Sequence, residues 1–303
     1  MTKIQIPPIK CQGIKSKLVS FIKEHVAWQH NGIWIEPFCG SGVVGFNIRP
    51  KHAIFADTNP HIIAFYQHIN QEKITPMQVR AFLVQEGKKL TEHSQVYYYQ
   101  VRERFNESYA PLDFLFLNRA CFNGLIRFNR HGKFNVPFNH KPNRFSKAYI
   151  TKIVNQVEAV YKLCKMHDWQ FVCQDFAETI GMVSKHDFVY CDPPYIGRNA
   201  DYFNQWDESH ELKLFEMLST CPANFILSTW HSNQYRHNEY ITDYWNQFHI
   251  TLREHFYHVG AKETNRHPIL EAIVTNYQAI SSMNTCDVSQ HQARLFENET
   301  NYL

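Results

Sequence analysis

The sequence has no Cys-x-x-Cys pair among its eight cysteines and no zinc-ribbon or finger spacing, which sets aside a structural zinc module and leaves most of the thiols to buried apolar roles. No run approaches the roughly 18 to 20 apolar residues of a membrane span, so a membrane partner is not expected. The opening stretch MTKIQIPPIKCQGIK lacks the apolar segment and small-residue cleavage site of a signal peptide, which predicts a cytoplasmic chain with reduced cysteines. There is no internal repeat and no low-complexity segment. Eighteen histidines invite a metal reading, and His237-Asn238-Glu239 matches half of a zinc-deaminase signature. The Pro-Cys-x-x-Cys half is missing, so the reading calls for no metal.

A further absence is local. From Phe114 to Val157 no acidic residue occurs, while Arg119, Arg127, Arg130, Lys133, Lys141, Arg144, Lys147 and Lys152 add eight positive charges to a chain whose net charge is only +3. Acids excluded and bases enriched, with phenylalanines between them, fit a surface that follows a phosphate backbone. The remaining composition, 44% hydrophobic and 19% charged over 303 residues, is that of a folded protein with room for a core and an inserted module.

Short apolar runs at Ile33–Pro37 and His52–Asp57 flank a Gly-rich turn and a helix start, which predicts a βαβ opening. From Pro60 to about Asn123 the apolar spacing is helical, with breaks expected near Thr75-Pro76, Gly87 and Ala110-Pro111. Leu125 to Phe138 alternates on either side of His131-Gly132, a hairpin pattern. A helix follows over Ser146–Met166. Strand-like runs then return at Trp169–Cys173, Phe188–Cys191, Phe225–Thr229 and Ile269–Tyr277, with a helix near Glu208–Leu218. The pattern is an α/β sheet interrupted and resumed.

Two motifs carry chemistry. Phe38-Cys39-Gly40-Ser41-Gly42-Val43-Val44-Gly45 follows the first strand, where open α/β sheets bind nucleotide-like ligands against backbone amides. Asp57, ending the next strand, can accept from both hydroxyls of a ribose. The same stretch satisfies Gly-x-Gly-x-x-Gly, so a nicotinamide-dependent oxidoreductase using Gly40, Gly42, Gly45 and Asp57 stays open on this motif alone. The second motif is Asp192-Pro193-Pro194-Tyr195, placed directly after the run Phe188–Cys191. Adenine's exocyclic nitrogen is a poor nucleophile because its lone pair is delocalised into the ring. Hydrogen bonds from its two protons to the Asp192 carboxylate and the Pro193 carbonyl would draw it toward a tetrahedral state. Pro193 and Pro194 restrict the backbone, and Tyr195 offers a stacking face for a base lifted out of a duplex.

The chain resembles the Dam-type adenine-N6-specific DNA methyltransferases, the α-group of the D12 class. The resemblance runs from about Pro8 to Tyr277 and is carried by Glu36-Pro37-Phe38-Cys39-Gly40-Ser41-Gly42, by Tyr98 through Arg102-Glu103-Arg104-Phe105-Asn106, by Leu117-Asn118-Arg119, by Asn123-Gly124-Leu125-Ile126-Arg127-Phe128-Asn129, by Gly132 through Phe138 and by Tyr190 through Tyr195. It implies a Rossmann-like S-adenosylmethionine-dependent methyltransferase fold over residues 1–60 and 151–303. An inserted, mainly helical target-recognition domain with a β-hairpin would occupy 61–150. It implies that Asp192, Pro193, Pro194 and Tyr195 act on the adenine. The cofactor, released as S-adenosylhomocysteine, would be held by Cys11, Gly13, Lys15, Glu36, Pro37, Phe38, Gly40, Ser41, Gly42, Asp57, Asp175, Phe176 and Asp192. Asp175 is expected to accept from the cofactor's adenine amine, or else to cap a helix.

For double-stranded DNA the resemblance implies contacts from Arg119, Phe122, Asn123, Leu125, Arg127, Asn129, Arg130, Lys133, Asn135, Pro137 and Lys141. Phe122 would wedge into the base stack and Arg127 would read guanine; as alternatives, Phe122 would be a core aromatic and Arg127 a phosphate contact. A GATC-like target is the implied lean, with a separately encoded restriction endonuclease as a partner or none. The chain departs from the family at Cys11-Gln12-Gly13-Ile14-Lys15, usually Trp-Ala-Gly-Gly-Lys, and at Ala120-Cys121 and Asn139-His140.

Overall fold

The structure, a computed structural model, describes residues 3–196, 206–233, 235–256 and 268–278. Among these, β1 (Trp34–Glu36), β2 (His52–Asp57), β3 (Asp168–Cys173), β4 (Phe188–Cys191), β5 (Asn224–Ser232), β6 (His249–Phe256) and β7 (Pro268–Thr275) form a single sheet in the order β3-β2-β1-β4-β5-β7-β6. The pairings from β3 across to β5 are parallel, and β7 runs antiparallel between β5 and β6. This is the Rossmann-like α/β architecture expected. The chain winds outward from β1 to β3 and then returns to β4 on the other side of β1. The carboxyl ends of β1 and β4 therefore flank the point of reversal, where such sheets bind their ligands.

Both faces of the sheet are covered, and the strand sequences show why. Phe188 and Tyr190 face a cluster that includes Trp34, Phe46, Phe55 and Ile226, while Val189 and Cys191 face another with Ile35, Leu227 and Val274. Apolar residues at every position, rather than at alternate ones, are what a strand buried on two sides requires.

The helices are α1 (Val19–His25), α2 (Gly45–Ile48), α3 (Pro60–Asn70), α4 (Pro76–Ser108), α5 (Pro111–Ala120), α6 (Lys147–Met166), α7 (Phe176–Gly181), α8 (Glu208–Ser219) and α9 (Glu239–Asp243). Asn59 caps α3 by accepting from the His61 and Ile62 amides. Thr75 and Gln78 close a capping box on α4. The breaks expected at Thr75-Pro76 and Ala110-Pro111 occur; the one at Gly87 does not. Gly87 is in mid-helix because α4 packs there on Phe145, whose Cβ would stand 2.7 Å from any Cβ added at that position. α4 instead departs from helical geometry at Ser94 (φ 50°, ψ −126°).

Residues 58–167, between β2 and β3, hold α3 to α6 and the ribbon. Gln67 and Asn70 of α3 donate to the Phe171 and Trp169 carbonyls of β3, so this helix lies against the sheet. Leu83, Phe105, Phe116 and Val157 share a continuous apolar cluster with Trp34 and Tyr190. The boundary expected between residues 150 and 151 falls inside α6, and residues 279–303 lie outside those described.

The hairpin expected over Leu125–Phe138 is present as a chain reversal. Two isolated antiparallel bridges, Phe128 with Phe134 and Cys121 with Phe138, replace a continuous ladder. Asn129 shapes the turn by accepting from the His131 and Lys133 amides. Phe128, Phe134, Val136 and Phe138 point inward, Arg127, Arg130 and Lys133 outward. Phe128 stacks on His61 of α3 with ring centroids 4.7 Å apart, and burial lowers that imidazole to about 4, so it packs uncharged. No helix among the described residues is long and apolar enough to cross a membrane.

Candidate active site at the reversal point of the sheet

The loop leaving β1 is shaped from both sides. Gly40 and Gly42 adopt positive φ (49° and 72°), a region that favours glycine. Among the described residues nothing lies within 4 Å of a Cβ built at Gly40, so on that side its backbone is open; at Gly42 the ring of Phe46 fills that position. Asp57 Oδ2 accepts from the Gly40 amide at 2.7 Å, and Oδ1 from the Asn59 amide at 2.9 Å. Each oxygen keeps a second acceptor position. Burial pushes the Asp57 carboxyl up and the two amides pull it back. Tyr66 donates to the Ser41 carbonyl at 2.7 Å.

Glu36 differs from its expected role as a cofactor contact. It is 2% exposed, and its Oε2 accepts from Trp34 Nε1 and from the Gly45 amide, each at 3.1 Å. Burial raises this carboxyl to about 8. Its side chain ties β1 to α2 beneath the loop and holds the loop from below.

On one flank Phe38 stacks on Phe176 at 5.5 Å, and Trp206 closes against both rings at 5.4 Å. Asp175 caps α7, its Oδ1 accepting from the Ala177 amide at 2.9 Å. The helix-cap reading is therefore realised. Its other oxygen has no protein donor among the described residues, so an adenine amine could still be accepted there.

β4 ends at Cys191, and Asp192 follows at once. Lys15, 3% exposed, places Nζ 2.8 Å from Asp192 Oδ1, 2.9 Å from the Tyr195 hydroxyl and 3.5 Å from the Gly13 carbonyl. Its ammonium also lies 4.9 Å from the Tyr195 ring centre. Burial raises the Asp192 carboxyl, and the Lys15 charge and hydrogen bond oppose that rise. The Tyr195 hydroxyl donates to Glu271 Oε2 at 2.9 Å.

The two loops leave neighbouring strands. β1 and β4 are hydrogen-bonded neighbours, Trp34 with Phe188 and Ile35 with Val189. Burial first, and then the charges of Asp57 and Asp192 together, push the Cys11 thiol far up, so one side chain lies within electrostatic reach of both carboxylates.

On the acid-free face, Phe122 is 50% exposed, which rules out the core reading. Asn123, Arg127, Arg130, Lys133, Pro137 and Lys141 are exposed, and Leu125, Asn129 and Asn135 are half-buried. Arg127 is steadied across the ribbon, its guanidinium donating to Asn135 Oδ1 at 2.7 Å and to the Asn135 carbonyl at 3.2 Å. Arg119 is a correction. It is 3% exposed and donates to the Pro8 carbonyl and to Gln156 Oε1, so it braces α5 against the N-terminal segment and α6. Its charge is spent inside because that segment needs donors for its carbonyls. Beside it, the Asn118 side chain exchanges two hydrogen bonds of 2.9 Å with the Lys10 backbone. Glu271 and Trp206 were not singled out from the sequence. A lone acid inside the apolar run of β7 is the signal by which Glu271 was findable; Trp206 offered none.

The chain matches the family of D12 class N6 adenine-specific DNA methyltransferases over residues 12–259. It is similar to the Type II methyltransferase M.FokI of Planomicrobium okeanokoites, 26% identical over 254 residues, which are 80% of this chain and 39% of that one. The retron Ec67 DNA adenine methylase of Escherichia coli is 31% identical over 225 residues, 70% of this chain and 73% of its own. A DNA adenine methylase of Escherichia coli is 34% identical over 197 residues, 63% and 66% of the two chains. The chain thus spans well under half of the first relative and 66% and 73% of the other two.

Proposed function

Because the chain belongs to the D12 class of N6 adenine-specific DNA methyltransferases, we propose that it transfers a methyl group from S-adenosylmethionine to the exocyclic nitrogen of an adenine extruded from double-stranded DNA. The N–CH3 bond forms as the S–CH3 bond breaks and the amine loses one proton, so the products are N6-methyladenine, S-adenosylhomocysteine and a proton, and no metal takes part. The target is a short sequence of GATC-like type. The enzyme serves in the cytoplasm either beside a separately encoded restriction endonuclease or as an orphan methylase. Residues 61–150 are its recognition module and the remainder its catalytic part.

The residues around the Gly40 loop fit the cofactor. The open side of Gly40 gives a close approach to backbone amides, Asp57 keeps acceptor capacity for ribose hydroxyls, and Phe38 and Phe176 offer an aromatic wall for an adenine ring. When bound, the cofactor supplies an electrophilic methyl on a sulfonium. The work of the chain is then to hold and orient. Asp192, whose carboxyl burial raises and Lys15 opposes, accepts one hydrogen bond from the adenine amine in its ionised form, and the Pro193 carbonyl accepts the other. These two acceptors localise the nitrogen lone pair. Lys15 occupies Oδ1, and the remaining acceptor positions of the carboxylate stay available for the amine. Tyr195 supplies the stacking face, and the exposed Phe122 fills the gap left in the duplex. Alignment of nucleophile and methyl carries the rate enhancement, a contribution that reaches roughly 7–11 kcal/mol for well-placed reactants.

The observation that carries this reading is the adjacency of β1 and β4 with Lys15 bridging to Asp192 at their carboxyl ends. With methyl-labelled cofactor and duplex DNA, label is expected on adenine N6. Asp192→Ala is expected to lower kcat by about a thousandfold or more while calorimetry still registers cofactor binding. Label on cytosine, or an active Asp192→Ala enzyme, contradicts the assignment.

A further inference from the structure

Glu271 stands in the middle of β7, paired in register with Trp230 of β5 and Arg253 of β6. It is 2% exposed, and the residues that follow it, Ala272, Ile273 and Val274, are all buried and apolar. A carboxylate in such a place is costly unless hydrogen-bonded, and an aliphatic side chain would serve the core at least as well. One partner it has is the hydroxyl of Tyr195, which reaches it from a turn 76 residues earlier in the chain. That hydroxyl is gripped twice, donating to Glu271 Oε2 and accepting from Lys15 Nζ, each at 2.9 Å. Lys15 in turn holds Asp192.

We propose that Glu271 is a positioning residue for the methyl-accepting base. By accepting the phenol proton it directs the lone pairs of the Tyr195 oxygen toward Lys15. The chain Glu271–Tyr195–Lys15–Asp192 thereby fixes the ring on which the adenine lies relative to the carboxylate that receives its amine. The inference rests on the reading of Asp192 and Tyr195 as the adenine grip. The two strands flanking β7 make Glu271 the rigid end of this relay, because a central strand moves less than the turn that carries Tyr195. Taking the phenol proton also keeps it from competing with the amine for Asp192.

The test is a double-mutant cycle on the full chain, with plasmid DNA from a methylation-free host as substrate. Glu271→Leu is expected to lower kcat by about tenfold, the value of one lost hydrogen bond in the transition state. KM for cofactor and for DNA should stay within about threefold and Tm should not fall, since an apolar residue suits the site. Glu271→Gln, whose amide oxygen still accepts, should recover most of that loss. In a Tyr195→Phe background Glu271→Leu should cost nothing more, because the hydroxyl through which it acts is gone. If the Leu variant does not fold, Glu271→Ala carries the same cycle. Losses that multiply, a Gln variant as slow as Leu, or a Tm that falls in step with kcat would overturn the proposal. A wild-type protein that leaves no methyl on DNA would overturn the functional reading first, and this inference with it.

Discussion

At the scale of single residues, the account turns on the charge of Asp192. An ionised carboxylate accepts an amine proton; a protonated one competes as a donor. Burial raises this carboxyl above the usual range and Lys15 holds it down. Activity that needs the ionised form is present above the folded pKa and lost as pH falls through it. Lys15→Met removes the opposing cation and moves that loss to higher pH. The ratio of variant to wild-type kcat/KM is therefore expected to be lower at about pH 6 than at about pH 8, checked by a pH–rate profile; a ratio flat with pH would separate Lys15 from the ionisation of Asp192. Asp57 and Asp192 were legible in the sequence as candidates for this site, because each ends an apolar run and Asp192 opens a recognisable word. Glu271 was not read as part of it, since its link to Tyr195 exists only once β7 is laid beside β5. Arg119 was misassigned for a related reason. A basic residue in an acid-free stretch looks solvent-facing until a backbone carbonyl 111 residues away claims it.

At the scale of elements, periodicity located six of the seven strands described, missing β6 (His249–Phe256), and it placed breaks less well. The run Phe188–Cys191 coincides with β4 and His52–Asp57 with β2, because strands buried on two faces leave an uninterrupted apolar signature. Gly87 reads as a break by propensity, and the structure runs through it because Phe145 occupies the space of a side chain. Gly87→Ala should therefore destabilise the protein. The contact strain of about 1–3 kcal/mol outweighs the roughly 1 kcal/mol that Ala gains over Gly in a helix. Thermal unfolding would show a lower Tm, and an unchanged or higher Tm would mean that Phe145 yields freely. The ribbon was legible as a reversal but not as two bare bridges, since alternation does not count hydrogen bonds. Its outward Arg127 is steadied by Asn135, and reading a base is the role proposed for it. Arg127→Ala is expected to cost about 1–3 kcal/mol for the preferred sequence and to relax discrimination at one base pair. Uniform weakening across all sequences would make Arg127 a phosphate contact instead.

At the scale of the whole molecule, the acid-free segment and the Asp192 turn are physically joined. The segment Pro8–Lys15 meets Arg119 and Asn118 near one end and Asp192 and Tyr195 at the other. The Gly-rich loop alone was compatible with a nicotinamide enzyme. The acid-free face, the Asp192 turn and the family match together support the proposed methyl donor and DNA substrate. What no composition or spacing fixed is the register that makes β1 and β4 hydrogen-bonded neighbours, because that depends on the chain reversing between β3 and β4. The most direct test expresses the protein in a methylation-free host and maps modified bases across its DNA at single-base resolution. N6-methyladenine confined to one short sequence, and absent when Asp192→Ala is expressed, is the predicted result. Methyl groups on cytosine, or unmodified DNA from cells holding the folded wild-type protein, would contradict the claim that the pocket between β1 and β4 seats an adenine against a methyl donor.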